Sequence, residues 1–155
     1  GDSGTQPVRA SVAQVLATEQ AAGCSTPAFY ETFQRQPERI ACELISFLMA
    51  QTNQGRRVVA YGAAAKGNTL LNFAGVRSHL IPYVADLNPA KQGKYLPGSR
   101  IPIVSPRKLT EDRPAIVLIL PWNLRNEVFH QLADMKDFGT RFFVAVPQLT
   151  EIKFD

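Results

Sequence analysis

Residues 56–69 read Arg-Arg-Val-Val-Ala-Tyr-Gly-Ala-Ala-Ala-Lys-Gly-Asn-Thr. A short apolar run ends on Gly62, passes through three alanines, and meets Lys66 where a helix should begin. A strand handed to a helix through a tight turn is the first half of a strand–helix–strand unit, the building block of parallel sheets. The same junction is a way to build an anion site. The turn exposes backbone N–H groups, the helix N-terminus adds positive potential, and Lys66 adds a full charge.

The pattern repeats downstream. Val58–Tyr61 predicts a first strand, Asn68–Gly75 a helix, and Ile81–Ala85 a second strand. Ile101–Val104 predicts a short third strand, with Pro102 suiting an edge or a strand start. Ala115–Leu120 is a continuous apolar run, as a central parallel strand covered on both faces requires. Leu124–Phe138 has the spacing of an amphipathic helix and Arg141–Val146 that of a last strand. The alternation predicts an α/β fold: a Rossmann-like, doubly wound parallel sheet of about five strands with flanking helices. Two N-terminal helices precede it. Ligands in such sheets bind at the carboxyl ends of the strands.

Upstream, residues 1–7 read as a flexible entry and Val8–Ala22 as a helix that Gly23 ends. Thr26 before Pro27 is a helix start, an N-cap followed by proline at the first position. Phe29, Phe33, Ile40, Leu44, Phe47 and Leu48 then fall on one helical face, expected to pack on the sheet. Pro37 predicts a kink or break near Gln36, and the helix should end by Asn53–Gly55. The chain divides on this basis into a helical arm, 1–55, and an α/β domain, 56–155.

A length of 155 residues, 45% apolar and 19% charged, suits one globular unit with a real core. The net charge of +4 permits an anionic ligand. The basic residues are scattered rather than striped, which argues against nucleic acid. No run approaches the roughly 20 apolar residues that span a bilayer. The spacing of Cys24 and Cys42 fits neither a zinc site nor a disulfide framework, so Cys42 is expected as a buried, reduced thiol and the location as cytoplasmic. A start at Gly1 without methionine suggests a fragment or a processed chain, and no signal peptide is visible.

Three strand ends should meet on one edge: Tyr61-Gly62, Asp86, and Pro121-Trp122-Asn123. Gly62, Ala64 and Gly67 hold the spacing of G-x-G-x-x-G with alanine in the middle place, where glycine normally lets backbone approach a pyrophosphate. Asp86 lies 24 residues after Gly62, near the place of a ribose-binding acid. Tyr61, Ala63, Lys66, Asn68 and Thr69 complete the loop and helix start. The loop 86–98 is long and polar; Asn88 lies in it, Lys91 and Lys94 suit phosphate, and Gln92 suits a base or sugar. Trp122 can stack on a ring and Asn123 can donate and accept. Alternatives stay open for each: turn residues for Gly62 and Asp86, a solvated loop for 86–98, packing for Tyr61, and a sheet-end cover for Trp122. His79 is isolated, and His130 pairs at most with Glu127. No nucleophile triad, metal motif or carboxylate pair stands out, so no catalytic or metal residue is assigned.

Tyr61-Gly62-Ala63-Ala64-Ala65-Lys66-Gly67-Asn68-Thr69, Asn72-Phe73, the run from Asp86 to Gly93, Pro97-Gly98 with Ile101-Pro102-Ile103, and Trp122-Asn123 together resemble the C-terminal domain of the sugar C-methyltransferase family. The resemblance covers roughly residues 8 to 152, with its motifs in order. It implies a substrate-side, Rossmann-like domain of an enzyme that uses S-adenosylmethionine on a nucleotide-linked deoxysugar. A zinc-binding module and the methyltransferase domain would lie upstream and hold the zinc, the methyl donor and the catalytic base. Tyr61, Lys66, Asn68, Thr69 and the Lys91-Gln92 loop would face the nucleotide diphosphate, and Trp122-Asn123 would complete the wall. The partners implied are the nucleotide-sugar and the methyltransferase domain, with neither nucleic acid nor membrane.

Two other readings remain. One is a non-catalytic module for NAD or another nucleotide, favoured by Asp86 and the glycine spacing and opposed by Ala64. The other is a scaffold docking through the helix from Pro27 to Asn53.

Overall fold

The apolar run at Ala115–Leu120 becomes the centre of the sheet. Strand β4 (Ile116–Ile119) is buried at every position and lies between β1 (Val58–Tyr61) and β5 (Arg141–Val144). The computed structural model describes residues 9–31 and 33–153, so the expected entry segment 1–7 lies outside the described residues. With β2 (Val84–Ala85), β3 (Ile103–Val104) and β6 (Thr150–Ile152), the strands form one six-stranded sheet in the order β3-β2-β1-β4-β5-β6. All neighbours run parallel except β5 and β6. The α/β fold with a mostly parallel sheet is as expected, with six strands in place of about five.

The period of two along each strand sorts the core into two layers. Val58, Ala60, Ile116, Leu118 and Phe143 pack with Leu44 and Leu48 of α3 (Arg35–Asn53) and Leu71 of α4 (Ala65–Phe73). Val59, Tyr61, Val117, Ile119 and Phe142 pack on the other face. They meet Leu109 of α5 (Arg107–Asp112) and Val128 and Phe129 of α6 (Arg125–Gln131). Helices thus cover both sides of a sheet whose strands β1 to β5 all end on the same edge, where the loops that follow them collect.

Contacts divide the chain into two compact units, 1–37 and 38–155. The first holds α1 (Ala10–Ala21) and α2 (Pro27–Tyr30). Neither buries a residue. Thr26 stands at the N-cap of α2 with Pro27 at its first position, as predicted, but its hydroxyl donates to the Gly23 carbonyl at 2.8 Å instead of capping.

Several expectations are corrected. The helical run stops after Tyr30 and resumes at Arg35, earlier than a break at Gln36. Pro37 then sits in the first turn of α3, where its missing N–H has no intrahelical acceptor to lose. The apolar stripe is core only from Ile40 onward: Phe29 and Phe33 are 41% and 64% exposed. Cys42 is exposed rather than buried, because it lies off the stripe carried by Ile40, Leu44 and Leu48. The predicted helix over Leu124–Phe138 is three pieces: a 3-10 turn at Trp122–Leu124, α6, and a second 3-10 stretch at Ala133–Phe138. The second strand is only Val84–Ala85. The chain reverses after Val144 through a cis Val146–Pro147 bond into β6, which has no strong apolar alternation to announce it.

Candidate functional site

Three strand ends build the site. β1 ends at Gly62, whose φ of +89° only glycine adopts without strain. Its α-carbon faces Pro121 after β4: a β-carbon there would lie 2.5 Å from Pro121 Cδ. Gly67, inside α4, is bare for a related reason, since a β-carbon would lie 2.5 Å from Leu120 Cβ. Both glycines therefore draw the β1–α4 junction onto the exit of β4. Gly67 has the helix-to-strand packing role of the third glycine in a dinucleotide loop.

Between them, Ala64 is the N-cap of α4, in extended conformation and with no side-chain cap. The first N–H groups of the helix, at Ala65, Lys66 and Gly67, have no intrahelical acceptors. Ala64 offers them none. Lys66 is exposed, and its Nζ stands 5.8 Å from the centroid of the half-buried Trp122 ring, within cation–π range. The loop after β1 and the loop after β4 thus present a helix N-terminus, a free-standing ammonium and an aromatic face together.

Asp86, at the end of β2, is buried and fully engaged. Its Oδ2 accepts the Ala63 N–H at 2.7 Å and the Lys91 ammonium at 3.1 Å, and its Oδ1 accepts the Asn88 N–H at 2.8 Å. Lys91 also donates to the Ala63 carbonyl at 2.9 Å, and the Gln92 amide donates to the Asp86 carbonyl at 2.9 Å. Asn88 closes the next turn by accepting the Ala90 N–H at 3.0 Å. Asp86 and Lys91 therefore hold the N–H and the carbonyl of Ala63, and Gln92 ties the loop 86–92 back to Asp86.

The other predicted residues fall as follows. Tyr61 is buried against α6 and its hydroxyl donates to Gln131 Oε1 at 3.2 Å; burial, with Asp86 nearby, pushes its pKa upward. Asn68 is half-buried and accepts the Asn72 amide at 3.2 Å, while the Thr69 hydroxyl bonds back to the Ala65 carbonyl at 3.1 Å. Asn123 is exposed and shares a shallow hollow with Trp122 and Arg125. Gly62, Ala63, Lys66, Gly67, Asp86, Lys91 and Trp122 are thus brought to one edge, and Tyr61 is turned away into the α6 layer. His130 is on the surface, its Nδ1 2.6 Å from the Asn126 carbonyl. No cluster of three potential metal ligands occurs among the described residues.

Sequence reasoning pointed to the loop 86–98 and to Lys94 but not to Tyr95. A groove of about 380 Å³ opens beside the start of α4, lined on its far side by Ala90, Lys94, Tyr95, Leu96 and Pro97. The available signal was a lone aromatic, Tyr95, inside an otherwise polar loop.

The family described as C-methyltransferase C-terminal domain matches residues 1–147. The chain belongs to that family. Among curated relatives it is similar to the C-methyltransferase NovU of Streptomyces niveus, 35% identical over 141 residues. That match takes in 91% of this chain and 34% of the relative, so the chain spans about a third of that protein's length. Among solved structures it is similar to a UDP-D-quinovosamine 4-dehydrogenase from Vibrio fischeri at 16% identity and a TM-score of 0.48, covering 64% of this chain and 95% of the other.

Proposed function

We propose that this C-methyltransferase C-terminal domain holds the diphosphate of a nucleotide-linked sugar for a methyltransferase domain elsewhere in the same enzyme. The observation that carries the reading is the uncapped N-terminus of α4 with Lys66 in its first turn, at the carboxyl edge of a mostly parallel sheet. Backbone donors and one full charge suit a diphosphate. Binding energy taken from that remote group then positions the reacting sugar. Asn68, Thr69, Trp122 and Asn123 extend the surface around it. Asp86, Lys91 and Gln92 serve the same ligand by holding the loop in shape.

In the whole enzyme, S-adenosylmethionine supplies the methyl group, and a zinc module belongs to the upstream part. On this reading the enzyme works in the cytoplasm. The edge of this chain does not fit the adenosine of either S-adenosylmethionine or NAD in the usual manner. That manner needs a carboxylate after β2 that reaches the ribose hydroxyls, and Asp86 is buried with its Oδ2 on Ala63 and Lys91 and its Oδ1 on the Asn88 N–H. The same observation counts against a separate NAD module.

Calorimetric titration of the chain and of Lys66→Ala with dTDP, a dTDP-sugar, NAD and S-adenosylmethionine tests the proposal. Diphosphate binding that weakens about tenfold or more in the variant supports it, in line with the worth of a charge-assisted contact. Binding of NAD or S-adenosylmethionine alone, or no binding at all, overturns it.

A further inference from the structure

The groove beside α4 has features that the anion loop does not explain. Ala63, Ala64 and Ala65 line it on one side, and Leu96 and Pro97 are also in its lining. The lining of this slot is mostly apolar. Tyr95 lines it and is 65% exposed, an unusual state for an aromatic side chain on a well-anchored segment. The anchoring is plain. Ile103 N–H donates to the Lys94 carbonyl at 2.8 Å, Leu96 N–H donates to the Ile101 carbonyl at 2.9 Å, and Tyr95 bridges Pro102. The platform is therefore held in place before any ligand arrives, which lowers the ordering cost of binding. Lys94 lines the groove, the Lys91 ammonium beside it is paired with Asp86, and no acidic side chain is in the lining, so its charge suits an anion's neighbour.

We infer that this groove receives the heterocyclic base of the nucleotide, with Tyr95 as its stacking platform. The inference rests on the diphosphate reading above, because the groove shares Ala63–Ala65 with the loop assigned to the phosphates. A base in the groove and a diphosphate on the α4 N-terminus leave the sugar to run toward Lys66 and Trp122. Asn68, also in the lining, accepts from Asn72 through its Oδ1, and that bond leaves its Nδ2 donors unused for a carbonyl on the base.

The test compares dTDP with inorganic pyrophosphate on the wild-type chain, Tyr95→Ala, Tyr95→Phe and Lys66→Ala. Loss of one base-stacking platform should weaken dTDP about tenfold in Tyr95→Ala, leave pyrophosphate unchanged, and be restored in Tyr95→Phe. A structural role for Tyr95 would weaken both ligands together, and that result overturns the inference. So does dTDP binding that falls in Lys66→Ala but is untouched in Tyr95→Ala; in that case the diphosphate reading survives alone. Absence of dTDP binding to the wild-type chain overturns both.

Discussion

Asp86 Oδ2 accepts the backbone N–H of Ala63 at 2.7 Å, so the end of β2 is fastened to the first peptide after Gly62. The carboxylate is buried, and the Lys91 ammonium closes on it from the other side. Acid and lysine were each plausible ligand groups in the sequence. In the fold they satisfy one another and a peptide.

Asp86→Asn should therefore destabilise the chain by about 1–3 kcal/mol, because an amide puts an NH2 where an acceptor is needed and leaves the Lys91 charge without its partner. Equilibrium urea unfolding measures this. A loss under about 0.5 kcal/mol, the range of ordinary surface substitutions, would show that the clamp is not integral to the fold.

The apolar stripe on the long N-terminal helical pattern predicts a contrast. Leu44 is fully buried against the sheet and Phe33 is 64% exposed. Leu44→Ala should cost about 2–5 kcal/mol and Phe33→Ala about 0.5 kcal/mol or less. Thermal unfolding of the two variants side by side checks it, and equal losses would mean that the stripe is core throughout.

That contrast also marks how far the sequence could be read. The β1–Gly62–α4 junction and the apolar β4 were legible because a central parallel strand and a glycine turn leave local signatures. Phe33 and Leu44 share a helical spacing, yet only packing separates them, and spacing carries no information about what lies opposite. Asp86 stands at the expected edge of the sheet, but its bond to the Ala63 N–H was not legible, since a carboxylate at a strand end looks the same in sequence whether it meets a ribose or a peptide N–H. β6 escaped because Thr150-Glu151-Ile152 has a single apolar residue and owes its place to pairing with β5. Tyr95 escaped because one aromatic in a polar loop has no periodicity to reveal it.

A pH dependence follows from Glu151. The Arg141 guanidinium donates to both its oxygens, at 2.8 and 2.7 Å across the β5–β6 pair, and holds its carboxyl below the ordinary value of 4.5. Because the folded value is the lower one, this contribution is complete above pH 4.5 and is lost as the pH falls through the folded value. The side chains are 45% and 28% exposed, so solvent screening limits the effect to about 0.2–1 kcal/mol. Glu151→Gln should lower stability at neutral pH by that amount and flatten the slope below pH 4.5. An unchanged slope in urea melts across that range would contradict the assignment.

Gly67→Ala sets two effects against each other. Alanine is the better helix former, and inside α4 the replacement alone would add up to about 1 kcal/mol of stability. The new methyl, however, would lie 2.5 Å from Leu120 Cβ, at the root of a side chain that has almost no freedom to retreat. Leu120 follows the buried β4 and is itself 1% exposed, so relief requires α4 to move off the sheet. Overpacking of this kind costs about 1–3 kcal/mol, which exceeds the propensity gain. The variant should be less stable than wild type. It should also bind dTDP more weakly, because the helix whose N-terminus is assigned to the diphosphate has shifted. A variant more stable than wild type in thermal melts would mean that α4 is not seated on Leu120. One that is less stable but binds with unchanged affinity would separate that seat from the ligand site.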